Sequence, residues 1–388
     1  MRVRLGSDVL LSSGRLKGSR IGVVCNHASL DRDFGHLIGK LAAAEGVTLA
    51  AIFGPQHGFR SDVQDNMVET PHGDDPRLRV PIYSLYSETR EPTAEMLRGI
   101  DALVIDLQDI GARIYTYIYT MANCLRAAAR HGVRVIVCDR PNPIGGTNVE
   151  GACLQPGWES FVGQFPLPMR HGMTIGELAA LFNDAFGIGA LVDVVRMEGW
   201  SRNMYADGTG LPWVMPSPNI PTLDTAIVYP GTVLFEGTML SEGRGTTRPF
   251  ELVGAPWIEA ERFAAEMNGL GLPGAYFRPA GFEPTFQKHA RQPCGGCQIH
   301  VTDRDAYRPY VTTLALLQDI IAEHGDRFAW KQPPYEYVTD RLPIDVLIGD
   351  PEVRGALESG APLAPIEKSW RGEIDAFRRE SLPFRLYR

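Results

Sequence analysis

Leu49-Ala50-Ala51-Ile52-Phe53 runs straight into Gly54-Pro55-Gln56-His57-Gly58-Phe59-Arg60. An apolar run of strand length thus stops at a loop of polar, potentially reactive side chains. Three other runs share the pattern: Arg20–Cys25 before Asn26 and His27, Ala102–Ile105 before Asp106-Leu107-Gln108-Asp109, and Val133–Cys138 before Asp139-Arg140-Pro141-Asn142-Pro143. Helical periodicity between them, over Gly35–Ala44, Thr93–Arg98 and Ile114–Arg130, predicts a parallel α/β sheet with crossover helices. Such sheets bind ligands beyond the carboxyl ends of their strands, so a polar site built from several loops is expected there.

Further along, Thr174–Phe186 reads as a helix opened by a Thr174/Glu177 capping box, and Leu191–Met197 as a strand extending the sheet. Trp200–Pro230 is rich in Pro, Gly and Asn and reads as a long functional loop region. After Tyr229-Pro230-Gly231 the character changes. Helices at Glu259–Asn268, Tyr310–His324, Pro351–Glu358 and Pro365–Arg379 alternate with strand candidates Ala275–Arg278, Gln298–Val301 and Ile344–Leu347. The chain therefore divides into residues 1–227 and a smaller α/β unit, 228–388.

The chain has 388 residues and a formal net charge of -8, with no basic stripe or Lys/Arg block, which argues against a nucleic-acid partner. No stretch approaches the roughly 20 apolar residues of a membrane span. The N-terminus meets Asp8 before any signal-peptide core, so a cytoplasmic location is expected; a secreted chain with its leader removed would read the same. Six scattered cysteines read as buried thiols in a reducing compartment. Cys294-Gly295-Gly296-Cys297 lacks a second ligand pair and reads as a turn with two incidental thiols.

Several segments concentrate chemistry. Gln56-His57-Gly58-Phe59-Arg60-Ser61-Asp62 carries a His, an Arg and a carboxylate at a strand end. In the segment from Asp106 to Tyr119, Asp109 reads either as a helix N-cap or as a site residue, and Asp106 is the stronger candidate because it ends the strand. Arg113 and Tyr115 are expected in the first helical turn facing the same mouth, with Tyr115 and Tyr119 on one face. Phe235 to Glu251 is the densest stretch: Glu236, Glu242, Arg244, Arg248 and Glu251 sit among glycines and hydroxyls, suited to gripping a polar substrate. Neither G-x-G-x-x-G nor a P-loop is present, so no nucleotide cofactor is expected. There is no G-x-S-x-G, and His57 and His171 lack metal-ligand spacing, so no metal is expected either.

The motifs FGPQHGFR (53–60), DLQDIGARIYTYIYTM (106–121), DRPNPIGG (139–146), PMRHGMTIGELA (168–179), PSPNIPT (216–222), YPGTVLFEGT (229–238) and GRGTTRPFE (243–251) resemble the NamZ family of exo-β-N-acetylmuramidases. This resemblance implies a Rossmann-like parallel-sheet domain, a smaller C-terminal one and a site in the cleft between them. It also implies hydrolysis that releases N-acetylmuramic acid from the non-reducing end of peptidoglycan fragments, with the sugar's own 2-acetamido group as nucleophile. The protein then supplies a group that orients the acetamide and an acid that protonates the leaving oxygen. Asp106, Asp109, Glu236, Glu242 and Tyr115 are candidates for these roles. Asn26, Gln56, His57, Arg60, Asp109, Arg113, Asp139, Asn142, Arg244 and Arg248 are candidates for binding the saccharide, with Arg60, Arg113 or Arg244 on its lactyl carboxylate.

One departure stands out against the resemblance. Where the family commonly reads Gly-Pro-Glu-His-Gly, this chain has Gln56, whose amide cannot deliver a proton at neutral pH. Glu242, and after it Glu69, are the replacement acids expected from position. The competing expectation is an amino-sugar-binding protein that has lost catalysis. Nothing in the sequence indicates an oligomeric state.

Overall fold

In the computed structural model, which describes residues 2–388, the chain opens with helix α1 (Gly6–Ser13) and strand β1 (Arg20–Cys25), followed by α2 (Leu37–Ala43), β2 (Thr48–Gly54), β3 (Gly73–Asp75), β4 (Val80–Ser84) and β5 (Ala102–Asp106). Then come α3 (Tyr117–His131), β6 (Arg134–Cys138), the pair β7 (Glu150–Cys153) and β8 (Pro168–Arg170), α4 (Ile175–Asp184) and β9 (Val192–Val195). One seven-stranded sheet has the order β3-β4-β2-β1-β5-β6-β9 and is parallel except for the β3–β4 hairpin. The chain winds outward from β1 in both directions, so the crevice beyond the ends of β1, β2 and β5 is the natural ligand position. The central strands β1, β5 and β6 are buried along most of their length, as expected of apolar runs covered on both faces.

The remainder comprises α5 (Leu223–Thr232), β10 (Leu252–Ala255), α6 (Ala260–Gly269), β11 (Ala275–Phe282), β12 (Cys294–Val301), α7 (Pro309–His324), α8 (Pro343–Ile348), α9 (Pro351–Ser359) and α10 (Leu363–Ser381). Its three strands form an antiparallel sheet in the order β10-β12-β11. The largest apolar core, from Val24 and Phe53 to Tyr310, Ile344 and Phe377, runs through both parts, and a second one around Leu10, Ile21 and Val104 lies within the first. The division at 227/228 falls inside α5, and we propose it as a seam between two packed units rather than a linker. No helix among the described residues is long and apolar enough to cross a membrane.

Several sequence expectations are corrected, each for a local reason. Ile344–Leu347 is helix α8, not a strand. Pro343 opens it, Gly349 closes it in the left-handed region, and all six residues are buried, which erases the periodicity that distinguishes a helix. Thr93–Arg98 forms only turns, with bonds such as Arg98 N to Glu95 O, and Gly99 at φ 69° stops it. α3 starts at Tyr117 rather than Ile114, because Ala112 and Arg113 are pinned to β8 by backbone pairing. Tyr115 is therefore not a helix-face partner of Tyr119.

The end of Trp200–Pro230, expected to be loop, is helical from Leu223 onward, and Tyr229-Pro230-Gly231 lies in the last turn of α5. A Cβ on Gly231 would sit 1.9 Å from Pro309 O, so glycine permits the close approach of α7. Cys294-Gly295-Gly296-Cys297 is part of β12 and not a turn. Added Cβ atoms on Gly295 and Gly296 would lie 2.1 and 2.0 Å from neighbouring carbonyls, so the glycines serve strand packing. Thr174 does cap α4, accepting from Glu177 N at 3.2 Å while Glu177 Oε2 accepts from Thr174 N at 3.1 Å.

Candidate active site

A narrow pocket opens beyond the ends of β2 and β5, against the loop between α5 and β10. Its wall includes Gln56, His57 and Asn66 from the loop after β2, Tyr115 and Thr116 before α3, and Ser217 and Asn219 from the 216–222 loop. Tyr229, Glu236, Arg244, Phe250, Tyr335 and Glu336 close it from the other unit.

Glu336 was not singled out from the sequence, yet it occupies the space beside Gln56. Thr116 Oγ1 donates to Gln56 Oε1 at 2.7 Å, which orients the amide so that Nε2 donates to Glu336 Oε1 at 3.2 Å. Tyr86 OH donates to the other carboxyl oxygen at 2.9 Å. Burial pushes the Glu336 carboxyl up to about 7, the nearby negative charge of Glu236 adds to this, and the two hydrogen bonds only partly oppose it. Its backbone is strained as well. Tyr335 and Val338 exchange hydrogen bonds around a tight turn whose central residues, Glu336 and Tyr337, have φ of 42° and 70°. A turn with both φ values positive favours Asn-Gly. Left-handed non-glycine residues cost about 1–3 kcal/mol each and concentrate at functional sites. His57 and Phe250 in the same pocket are also left-handed, at 69° and 63°.

Glu236 is the second carboxyl of the pocket, and its environment has the opposite effect. It lies in the 3₁₀ turn Val233–Gly237. Burial alone would raise it, but Arg244 Nη2 at 2.6 Å, Tyr335 OH at 2.7 Å and the charge of Lys288 outweigh burial and hold it below the ordinary carboxylate range. Arg244 also approaches Glu242, while its Nη1 has no hydrogen-bond partner among the described residues. His57 Nδ1 lies 2.8 Å from Val63 O, so it carries the proton there, and burial pushes this imidazole down to about 4. Nε2 is then a neutral acceptor.

The other residues expected from the sequence have structural partners. Asp106, 0 % exposed, is clamped by Arg140 through Nε at 2.5 Å and Nη2 at 3.0 Å beneath the strand ends. Asp139 caps the start of α4 through Gly176 N and Thr174 Oγ1 and binds Tyr387 OH at 2.5 Å. Asn142 accepts from Ile144 N in its own loop and donates to Met173 O, and Asp109 accepts from Gly111 N. Asn26 holds the 216–222 loop by donating to Pro216 O at 2.8 Å, and so acts one layer behind Ser217 and Asn219. Arg113, 0 % exposed, turns away from the mouth and donates to Leu347 O and Ile348 O at the end of α8, where the helix dipole favours a cation.

Glu242 is held by Lys288 at 2.7 Å outside the pocket lining, and Glu69 lies at the surface on Arg90. Arg60 is exposed, and Arg248 reaches Glu251 from a half-exposed position. Among the described residues no cluster of three or more His, Cys, Asp or Glu is arranged to hold a metal ion.

Asp106 provides a direct check on these assignments. Asp106→Ala leaves a buried guanidinium without its carboxylate, which typically costs about 3–5 kcal/mol. The urea-unfolding midpoint should fall accordingly. An unchanged midpoint with lost activity would return Asp106 to the chemistry.

A doubly wound sheet whose strand ends face two buried carboxyls, one pushed up to about 7 and one held below the ordinary carboxylate range, offers the opposed pair that glycosidases use as acid and base. Residues 21–224 match the N-terminal domain of exo-β-N-acetylmuramidase NamZ, and residues 227–387 match its C-terminal domain. The chain belongs to this family. It is 43 % identical to the peptidoglycan β-N-acetylmuramidase NamZ of Bacillus subtilis (strain 168), over all of this chain and 92 % of that protein. Two crystal structures of DUF1343-family proteins from Bacteroides fragilis are also similar. One has a TM-score of 0.91 at 35 % identity and the other 0.77 at 27 %, each covering 100 % of this chain and 99 % of its own.

Proposed function

We propose that this chain is an exo-β-N-acetylmuramidase that removes terminal N-acetylmuramic acid from peptidoglycan fragments by substrate-assisted hydrolysis, with Glu336 as general acid. The observation that carries this reading is the pair of pocket carboxyls with opposed ionisation. In the first step the acetamide oxygen bonds to the anomeric carbon while the glycosidic bond breaks, and Glu336 gives its proton to the departing oxygen. Glu236, ionised, accepts from the acetamide N–H and offsets the positive charge of the resulting oxazolinium ion. In the second step water attacks the anomeric carbon, Glu336 takes its proton, and the acetamide is restored. Gln56 positions Glu336 and transfers no proton. The pocket is narrow, with a cavity volume of about 40 Å³, and it should widen when a sugar ring enters. No helix among the described residues is long and apolar enough to cross a membrane.

Of the three arginines considered for the lactyl carboxylate, Arg244 is the one in the pocket, with Nη1 unengaged among the described residues. The test compares 4-nitrophenyl glycosides of N-acetylmuramic acid and N-acetylglucosamine. The wild type should turn over the muramic acid substrate. Arg244→Met should lower kcat/KM for it by about tenfold or more beyond the loss on the glucosamine substrate, the worth of a charge-assisted pair. Equal losses would defeat the carboxylate assignment, and binding without turnover by the wild type would defeat the hydrolase.

A further inference from the structure

Arg90 lies in the loop between β4 and β5, and its guanidinium sits among three aromatic rings. Cζ is 4.4 Å from the centre of the Tyr86 ring, 4.5 Å from that of Tyr337 and 5.9 Å from that of Phe161. The three ring centres lie 5.4, 6.2 and 6.3 Å from one another, so they form a cage whose faces attract a cation. Arg90 Nη2 donates to Glu69 Oε1 at 3.1 Å, and Tyr337 OH donates to the same oxygen at 3.4 Å. Nη1 donates to Ser87 O, and Asn123 of α3 holds the main chain by donating to Arg90 O at 3.2 Å. Glu69, a replacement acid on sequence grounds, therefore anchors this cluster instead.

Two of the caging rings bear directly on Glu336. Tyr86 donates its hydroxyl to the carboxyl, and Tyr337 is the next residue in the same left-handed turn. A strained turn keeps its shape only where its surroundings over-determine it. The main chain of Glu336 donates to Met67 Sδ at 3.2 Å, a weak acceptor, and its carboxyl meets Gln56 and Tyr86. Packing of Tyr337 on Arg90 adds a hold on the turn from the first unit.

We propose that Arg90 is a positioning residue for the hydrolysis: held by Glu69 between the Tyr86 and Tyr337 rings, it fixes the place from which the Glu336 carboxyl delivers its proton. This rests on the reading of Glu336 as general acid. Arg90 itself touches no substrate and transfers no proton.

The test is steady-state kinetics of Arg90→Met, Arg90→Lys, Tyr337→Gly and Glu336→Gln on a natural muramyl glycoside and on a 4-nitrophenyl one, with urea unfolding of each variant. Arg90→Met should lose about 10- to 10²-fold in kcat on the natural substrate, since a misplacement of about 1 Å costs up to about 10²-fold. The aryl glycoside, which needs no proton, should be nearly spared, and KM should change little. Arg90→Lys keeps a cation over the rings and should recover part of the loss. The alkaline limb should also move. A loosened turn admits water, and burial is the main cause that raises Glu336 to about 7, so the limb should shift to lower pH. Tyr86, Gln56, Glu236 and Arg244 face this carboxyl and are unchanged in the Arg90 variants. Loss of a nearby positive charge by itself would shift the limb upward, so the direction separates positioning from charge. Glycine suits φ 70°, so Tyr337→Gly should fold and show the same pattern, and it decides the matter if Arg90→Met does not fold. The proposal is overturned if folded variants lose equally on both substrates, keep the wild-type kcat, or shift the limb upward. Full activity of Glu336→Gln on the natural substrate would sink the acid reading and this role with it. A crippled Glu336→Gln beside unimpaired Arg90 and Tyr337 variants would sink the positioning role alone.

Discussion

Glu336→Gln should lower hydrolysis of a natural muramyl glycoside by about 10²- to 10⁴-fold, the range a positioned general acid contributes. The same variant should retain far more activity on a 4-nitrophenyl glycoside, whose leaving group departs without a proton. The pH profile follows from the two carboxyls. Glu336 must start protonated, and burial pushes it up to about 7, so kcat/KM should fall as pH rises through that value. Glu236 must be ionised, and Arg244 holds it below the ordinary carboxylate range, so the acid limb should lie below that range. Glu336→Gln should abolish the alkaline limb. A variant that keeps both this limb and its activity on the poor leaving group would show that the proton comes from elsewhere.

Glu236→Gln is expected to be as damaging but in a different pattern. A carboxylate that meets charge developing in the transition state acts on every substrate, so losses of about 10²- to 10³-fold should extend to the activated aryl glycoside. The variant also removes the nearest counter-ion of buried Arg244. Breaking such a pair costs up to about 3–5 kcal/mol, and Glu242, still 3.5 Å from Arg244 Nε, should limit the damage. Kinetics on both leaving groups together with urea unfolding measure the two effects. If activity survives on the aryl glycoside and only the natural substrate suffers, Glu236 is acting as a proton donor and the roles assigned to the two carboxyls are reversed.

The parallel sheet was legible because buried strands are apolar runs, and the polar loops at their ends marked the face that bears the pocket. Side-chain roles at that face were less legible. Asp106 and Arg113 have the composition and position of site residues, but each is committed to a partner distant in sequence: Arg140, and the carbonyls of α8. Within one loop, Glu236 and Glu242 differ only in which way the chain turns them. Glu336 lies 280 residues from Gln56, and no periodicity connects the two. One signal was available, since Pro333-Pro334-Tyr335-Glu336-Tyr337 sets an acid between aromatic residues, an environment that favours a neutral carboxyl. On the proposed mechanism, Glu336 carries the proton that an acid at position 56 would otherwise supply. Thr116 still orients the side chain there toward a carboxyl.

The grip of Arg113 on the end of α8 also bears on how the protein is made. Its acceptors, Leu347 O and Ile348 O, come 234 and 235 positions later in the chain. A ribosome adding about 5–20 residues per second needs roughly 12–50 seconds to reach them. During that interval Arg113 lacks its carbonyl acceptors, and the β7–β8 pair lacks α5, α7 and α10, the helices that pack against it. The β7–β8 side of the first unit is therefore completed only after the second unit has been made, and a chaperone that shields it during synthesis would act on the same surface that later becomes the seam.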